Sequence, residues 1–143
     1  TMLSSDTKAL SQFLQKAAAG EDIVLKSKGN QKFSYTFVTD AAAGILYSML
    51  LGKSGNAYNI ADEASDITLK ELARHLADIA GSQVVFELPD ETERRGYSTA
   101  TKAMLNAAKL KALGWKPRVN MADGLKCTVE AMKKEISPDS SHA

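Results

Sequence analysis

The segment ITLKELARHLADIAG, residues 67–81, is the best-defined helix signal in the chain. Its apolar face is a surface that other parts of the chain must cover. Thr68 and Glu71 have the spacing of a capping box, and Ile67 with Leu72 has that of a hydrophobic staple. A helix with one apolar face needs a second layer to cover it, so the chain is expected to form a layered, packed domain. The apolar stripe and the glycine that ends the helix are Leu69, Leu72, Leu76, Ile79 and Gly81.

Other segments predict a helix or a short strand in turn, without a long repeat. Because the strands are few and short, they would form a poor sheet by themselves, and packing against a partner domain is plausible. The pattern indicates an α/β (α+β) fold, a small domain of amphipathic helices with a few short strands. The predicted helices are 4–19, 41–51, 106–114 and 121–135, and the predicted extended segments are 23–26, 34–38 and 83–88.

Composition limits the classes of protein to consider. With 143 residues, the chain is long enough for one domain with a core. We expect that domain to span 1–136 and residues 137–143 to form a flexible polar tail. The formal charge of +1, from 18 basic and 17 acidic residues, provides no field to attract nucleic acid or an anionic membrane. No apolar run approaches the roughly 20 residues of a membrane span.

The cysteine content indicates the compartment. Cys127 is the single cysteine and cannot form an internal disulfide, so a reducing, cytoplasmic setting is expected. It lies inside the last amphipathic helix, where a partly buried, inert thiol is expected.

Motifs for cofactor binding and catalysis are missing from the chain. No GxGxxG occurs, and LGKSG lacks the first glycine of a phosphate-binding loop. In YSTATK, Tyr97 would need its lysine at position 101 to share one helix face, but the lysine is Lys102. The chain is therefore expected to hold no catalytic pair, no cofactor loop and no metal site.

Four single residues raise separate expectations. Asp40, at the junction in GNQKFSYTFVTDAAAG, is placed to cap the helix that follows. Trp115 is expected to pack at the turn before the last helix. Asn59 lies in an apolar run and needs a partner, either backbone or ligand. Arg94 belongs to a mixed charge run whose spacing favours a solvated loop, with a phosphate contact as the alternative.

Four stretches, taken in order, carry motifs that occur together in one enzyme family. FVTD resembles its "YVxD" strand end, and YNIADEASDITLKEL resembles its "YNIG" segment. RRGY resembles "RPGD", and LGWKPRVNMADGL resembles "LGWxPxxxxxEGL". Together they resemble the NAD-dependent epimerase/dehydratase family, the nucleotide-sugar-modifying members of the extended short-chain dehydrogenases/reductases.

The resemblance implies a part of an enzyme. The family's Rossmann fold, with its glycine-rich loop and its Tyr-x-x-x-Lys pair, would lie N-terminal to this chain, and NAD is expected there and not here. This chain would be the C-terminal substrate-binding part, which holds a nucleotide-diphosphate sugar beside that domain. Its partners would be the sugar nucleotide and the Rossmann domain, and a homodimer is compatible with this assignment.

The resemblance also implies which residues bind the substrate. Val24, Leu25 and Lys26 fall where the family's segment lies beside the nucleotide base. Asn59 falls on the asparagine of "YNIG", and Arg94 falls on the arginine of "RPGD", a diphosphate contact.

One departure from the family concerns the diphosphate. Phe33 stands where members usually carry a diphosphate-binding arginine, and the adjacent Lys32 would point to the opposite face of a strand. This difference leaves an alternative open. The chain could instead be a non-enzymatic protein-interaction module that associates with itself or docks through an exposed apolar face.

Overall fold

The computed structural model describes residue 6 and residues 8–87 and 102–136, and in this part of the chain helices alternate with short strands as predicted. A 3-10 turn spans Glu63–Ser65. The helices are α1 (Ala9–Ala19), α2 (Val38–Leu51), α3 (Leu69–Ala80), α4 (Ala108–Lys111) and α5 (Met121–Ile136). The strands are β1 (Ile23–Leu25), β2 (Lys32–Ser34), β3 (Asp66–Thr68), β4 (Val84–Phe86) and β5 (Lys102–Ala103).

The strands form two small sheets. In the first, β1 and β4 run parallel, with Ile23 opposite Val84. In the second, β2 is central, antiparallel to β3 and parallel to β5, and Phe33 lies opposite Ile67. Since each of these five strands has three residues or fewer, the helices provide most of the packing in the described part of the chain. The mixed α/β fold class is thereby confirmed.

The chain divides into two compact units, each built from separate segments of sequence. The first unit comprises the described residues of Thr1–Asn30, Leu69–Thr99 and Leu125–Ala143. The second comprises those of Gln31–Thr68 and Ala100–Gly124. The expected single domain over 1–136 stays a prediction, and the expected tail, 137–143, lies outside the described residues.

The core of the first unit lies where α1 and α3 pack against each other and on β1. In α3, two residues of the predicted stripe, Leu72 and Leu76, are fully inaccessible, and the other two, Leu69 and Ile79, are partly buried. Gly81, with a φ angle of 70°, follows α3 as predicted, and Gly20, with a φ angle of 72°, follows α1 in the same way. The other large core side chains of this unit are Phe13, Leu14, Ile23, Leu25 and Val129.

The second unit is built around Trp115, which has no exposed surface and packs with Ala61, Ala107 and Leu110. Its predicted packing role is confirmed. Around this cluster lie partly buried side chains from α2, from the segment before the 3-10 turn and from the turn after α4: Ala43, Tyr47, Tyr58, Ile60 and Leu113.

Two predicted strands are wrong in extent. The segment predicted over 34–38 pairs only as Lys32–Ser34, because β3 and β5 are themselves short and provide no partners beyond Ser34. The helix that follows accordingly begins at Val38. Of the segment predicted over 83–88, Val84–Phe86 forms β4, Gln83 and Glu87 lie outside the strand, and Leu88 is outside the described residues.

Cys127 is exposed, which corrects the expectation that the thiol is partly buried. It lies in α5 between Leu125 and Val129, which are buried. On a helix, a residue two positions from each of these points away from the face that they share.

The outward side of α2 is apolar. Five large side chains lie there and are more than half exposed, with 79% for Leu50 and 74% for Met49. Among the helices that the structure describes, none combines the length and the apolar character needed to cross a membrane. We call this surface the α2 apolar face; it consists of Val38, Ile45, Leu46, Met49 and Leu50.

Candidate functional site

The three residues expected beside a nucleotide base lie at the end of β1, in the first unit. Leu25 is buried, with 2% of its surface exposed, so its side chain belongs to the core. Val24 is half-buried, whereas Lys26, just beyond the strand, is exposed. The backbone here is fixed, since the carbonyl of Leu25 accepts a hydrogen bond from the Glu87 N–H at 3.2 Å. Of the three side chains, Lys26 is therefore the one available to contact a polar ligand.

Asn59 lies in the second unit and has a backbone partner. Its Nδ2 donates to the carbonyl of Asn106 at 3.0 Å. The Oδ1 of Asn106 in turn accepts the Ala108 N–H at 2.8 Å, at the start of α4. Of the two partners predicted from the sequence, backbone or ligand, the structure shows the backbone one. This hydrogen bond fixes the position of residues 104–107, which connect β5 to α4.

The remaining predicted polar contact, Arg94, lies outside the described residues, as does Tyr97. Phe33, in the position where an arginine was expected, is half-buried in β2. Its ring centroid is 6.4 Å from that of Tyr35. Burial raises the pKa of the Tyr35 hydroxyl to about 12, so this tyrosine is neutral at physiological pH. Phe33 thus has an aromatic neighbour, Tyr35, that carries no charge at physiological pH.

Asp40 does not cap α2, which corrects the prediction from the sequence. The residue at the N-cap position is Phe37, and no side chain makes a capping hydrogen bond there. Asp40 lies in the first turn, 4% exposed, and its Oδ2 accepts the N–H groups of Arg118 and Val119 at 3.0 and 2.9 Å. The carboxylate is turned away from the helix end because these two amide groups from a distant loop are its partners.

The same loop is held at a second point of α2. The indole Nε1 of Trp115 donates to the backbone carbonyl of Asp40 at 3.0 Å. Together, the hydrogen bonds to the carboxylate and to the backbone carbonyl of Asp40 attach residues 115–119 to the first turn of α2. Asp40 and Trp115 each had a separate signal in the sequence, but no signal indicated the link between them.

An open depression of about 690 Å³ lies beside this link within the second unit. Its lining includes Thr39 and Tyr47 from α2 and the basic residues Lys116 and Arg118. These groups can hydrogen-bond to an anion or a hydroxyl group. The carboxylate of Asp40 also lines the depression, where its Oδ2 accepts the N–H groups of Arg118 and Val119.

A second carboxylate holds the start of α4. Oε1 of Glu63 accepts the Ala107 N–H at 2.9 Å, and Oε2 accepts the ammonium group of Lys111. The hydrogen bond from Lys111 is the main reason that the pKa of Glu63 lies below its usual value, with the Ala107 N–H adding to it. Asp40 and Glu63 thus both bind backbone amides of chain segments distant in sequence.

The described residues do not fit the pyrophosphate of NAD. Such a site needs a glycine-rich turn between a strand and a helix, so that the backbone can approach the phosphates. In the part of the chain that the structure covers, β2 leads to α2 through residues 35–37 and β5 leads to α4 through 104–107. Neither connection contains glycine, and β3 joins α3 directly.

The chain is similar to known proteins along most of its length. The model of the NAD dependent epimerase/dehydratase family matches residues 2–61. The low-salt glycan biosynthesis protein Agl12 of Haloferax volcanii is 28% identical over 123 residues, which cover 86% of this chain and 38% of that protein.

Two solved structures share the fold. UDP-glucose 4-epimerase of Thermotoga maritima, solved with UDP-glucose, superimposes with a TM-score of 0.76 and 26% identity, over 90% of this chain and 40% of the epimerase. The Bordetella bronchiseptica enzyme WbmF, in complex with NAD+ and UDP, gives 0.72 and 25%, over 92% of this chain and 38% of WbmF.

The chain therefore spans about two fifths of the length of each of these proteins. The segment matched by the family model includes the motifs FVTD and YNIA. These matches confirm the resemblance: the chain is similar to members of the NAD-dependent epimerase/dehydratase family.

Proposed function

We propose that this chain is the part of an NAD-dependent nucleotide-sugar epimerase or dehydratase that holds the nucleotide-diphosphate sugar, and that it performs no chemistry by itself. The observation that carries the proposal is its similarity to about two fifths of an epimerase solved with UDP-glucose. The absence of GxGxxG and Tyr-x-x-x-Lys from its sequence agrees with this assignment. The remaining part of the parent protein would supply NAD and the catalytic groups, and the parent would work in the cytoplasm.

The residues that we propose for substrate binding are those that the family motifs indicate. Lys26, exposed beyond β1, would lie beside the base, where the backbone of Val24 and Leu25 is held by β4. Asn59 would act by keeping the Asn106 carbonyl and the chain before α4 in place. Arg94 would bind the diphosphate, for which its planar guanidinium suits two oxygens.

Phe33 determines what kind of diphosphate contact the chain can make. With an aromatic side chain in the position of the usual arginine, the chain has one cationic contact fewer for the phosphates. A charged hydrogen bond contributes roughly 1.5–3 kcal/mol, so we expect weaker binding than in relatives that carry the arginine. Introducing the arginine by Phe33→Arg should therefore tighten binding of UDP-glucose.

Calorimetric titration of the chain with UDP-glucose tests the proposal. We expect measurable binding that Arg94→Ala weakens about tenfold or more, because the variant leaves phosphate oxygens without a cationic partner. Arg74→Ala is the matched control, since Arg74 is an exposed arginine on α3. NAD should bind weakly at most, and affinity equal to that of an intact dehydrogenase would contradict the proposal.

The α2 apolar face favours a second candidate function, a protein-interaction module that does not bind nucleotides. The same titration separates the two. If neither UDP-glucose nor dTDP-glucose produces binding heat, and the chain forms concentration-dependent oligomers, the interaction module is supported instead.

A further inference from the structure

The α2 apolar face is a continuous stripe on one side of the helix. Its five members occupy positions i, i+7, i+8, i+11 and i+12, counted from Val38. At 100° per residue these positions fall within one side of the helix, and Ala42, also exposed, lies among them. The stripe therefore runs along the whole length of α2.

No charge interrupts this stripe. The only charged side chain in α2 is Asp40, which is buried on the opposite side and bound to Arg118 and Val119. A helix at a protein surface normally places charged and polar residues toward water. Soluble monomers rarely expose contiguous apolar patches larger than a few hundred Å². A helix with large aliphatic side chains outward and no outward charge is thus typical of one that is covered in the assembled protein.

From this surface we infer that the α2 apolar face is the docking site for the remainder of a longer polypeptide to which this chain belongs. The inference rests on the proposed function. It is supported by the length of the relatives, since about three fifths of Agl12 and of the Thermotoga maritima epimerase lie outside the match. That remainder is large enough to form a domain with its own core.

The chemistry of the face defines the surface that covers it. The covering surface must be aliphatic and uncharged, because a charge buried against Leu46, Met49 and Leu50 would find no partner there. A lipid surface fits less well. Helices that lie on membranes carry Lys or Arg on their polar side, and α2 has neither.

Cysteine labelling tests whether the face is covered. In a Cys127→Ser background, a maleimide should react with Leu50→Cys in the 143-residue chain at an ordinary rate. In the longer polypeptide encoded by the gene, the reaction should be about tenfold slower or more, because labelling would require the docked segment to open. Leu105→Cys is the matched control, since Leu105 is an exposed leucine of the same unit, at 49%, and should keep its rate in both.

A charge substitution provides a second test, in which the melting temperature should change in the longer polypeptide but not in the 143-residue chain. Leu50→Glu should leave the melting temperature of the 143-residue chain unchanged, because the side chain remains in water. In the longer polypeptide it should lower the melting temperature by about 5 °C or more, because the carboxylate would be buried without a partner.

Three outcomes would overturn the inference. One is equal reactivity of Leu50→Cys in the two proteins, and another is a coding sequence that ends at residues 1 and 143. The third is protection that disappears when the longer polypeptide is diluted to a monomer or freed of vesicles, since a second copy or a membrane would then cover the face. None of these measurements uses a nucleotide, so failure of the docking inference is distinguishable from failure of sugar-nucleotide binding.

Discussion

Helices α2 and α3 have nearly the same length but opposite relations to water. In α3, leucines and alanines face the core of the first unit, and the exposed positions carry Glu71, Arg74, His75 and Asp78. In α2, the two fully buried residues are Asp40 and Gly44, and the largest aliphatic side chains face outward. The two helices are therefore held in place by different interactions.

This difference shows which of the two helices has its apolar surface covered within this chain. α3 is held by burial of its apolar side chains, and the residues that bury them belong to the first unit. α2 is attached to its own unit through the hydrogen bonds of Asp40, the packing of Tyr47 and the close approach of Gly44 to Ile60. Most of its apolar surface contributes nothing to folding here, and that surface remains available to a partner.

Leucine-to-alanine substitutions in the two helices should give the largest contrast. Leu76→Ala should lower the free energy of unfolding by about 2–5 kcal/mol, because it leaves a cavity at a fully buried site. Leu50→Ala, the same change at a 79% exposed site, should change it by less than about 0.5 kcal/mol. Urea denaturation of the 143-residue chain measures both. Equal losses would show that α2 and α3 are not held differently.

Removing the carboxylate of Asp40 should have the next largest effect. Asp40→Ala leaves the N–H groups of Arg118 and Val119 without their partner, at a cost of about 1–3 kcal/mol. Because Trp115 is the only tryptophan, its fluorescence reports on this loop, and acrylamide should quench it more strongly in the variant.

The neighbouring Thr39→Ala is the control for Asp40→Ala. Thr39 is exposed in the same turn of α2, and its loss should change neither stability nor quenching. If Asp40→Ala behaves like Thr39→Ala, the polar attachment of α2 is unimportant, and apolar packing around Tyr47 must hold the helix.

Local signals in the sequence predicted the features whose causes are local. The helix over 69–80 and its buried stripe follow from the spacing of its leucines, and Gly20 and Gly81 end two helices because they adopt positive φ. Trp115 is buried as its size and apolar ring suggested. Each of these depends on residues within a few positions, or on one large side chain.

Interactions between distant segments could not be predicted in the same way. Asp40 precedes an alanine-rich helix, the usual position of a cap, yet its partners are 78 and 79 residues further on. For Asn59, the sequence required a partner but could not choose between backbone and ligand. For α2, the periodicity of Ile45, Leu46, Met49 and Leu50 revealed a stripe without showing whether this chain covers it. The proposed binding role of Val24, Leu25, Lys26 and Arg94 comes from the family resemblance and stays a prediction.

The smallest effect should come from Glu63, the second carboxylate that binds a distant backbone amide. Its folded-state pKa is lowered from 4.5, chiefly by Lys111. A lowered pKa stabilises the protein above the unfolded-state value, and this contribution is lost as the pH falls through the folded-state value. Glu63→Gln should therefore be less stable than the unmodified chain at pH 7, by an amount that shrinks toward pH 3.

Urea denaturation at both pH values measures the Glu63 effect, with Glu130→Gln as the control at an exposed position of α5. Since exposed ion pairs contribute about 0.2–1 kcal/mol, the difference should be smaller than for Asp40→Ala. Glu63 accepts the N–H of Ala107, and α4 packs against α2. Glu63→Gln should therefore weaken the packing of α4 against α2, although no residue of α2 is changed. A stability difference that is the same at pH 7 and pH 3 would mean that the charge of Glu63 does not hold α4.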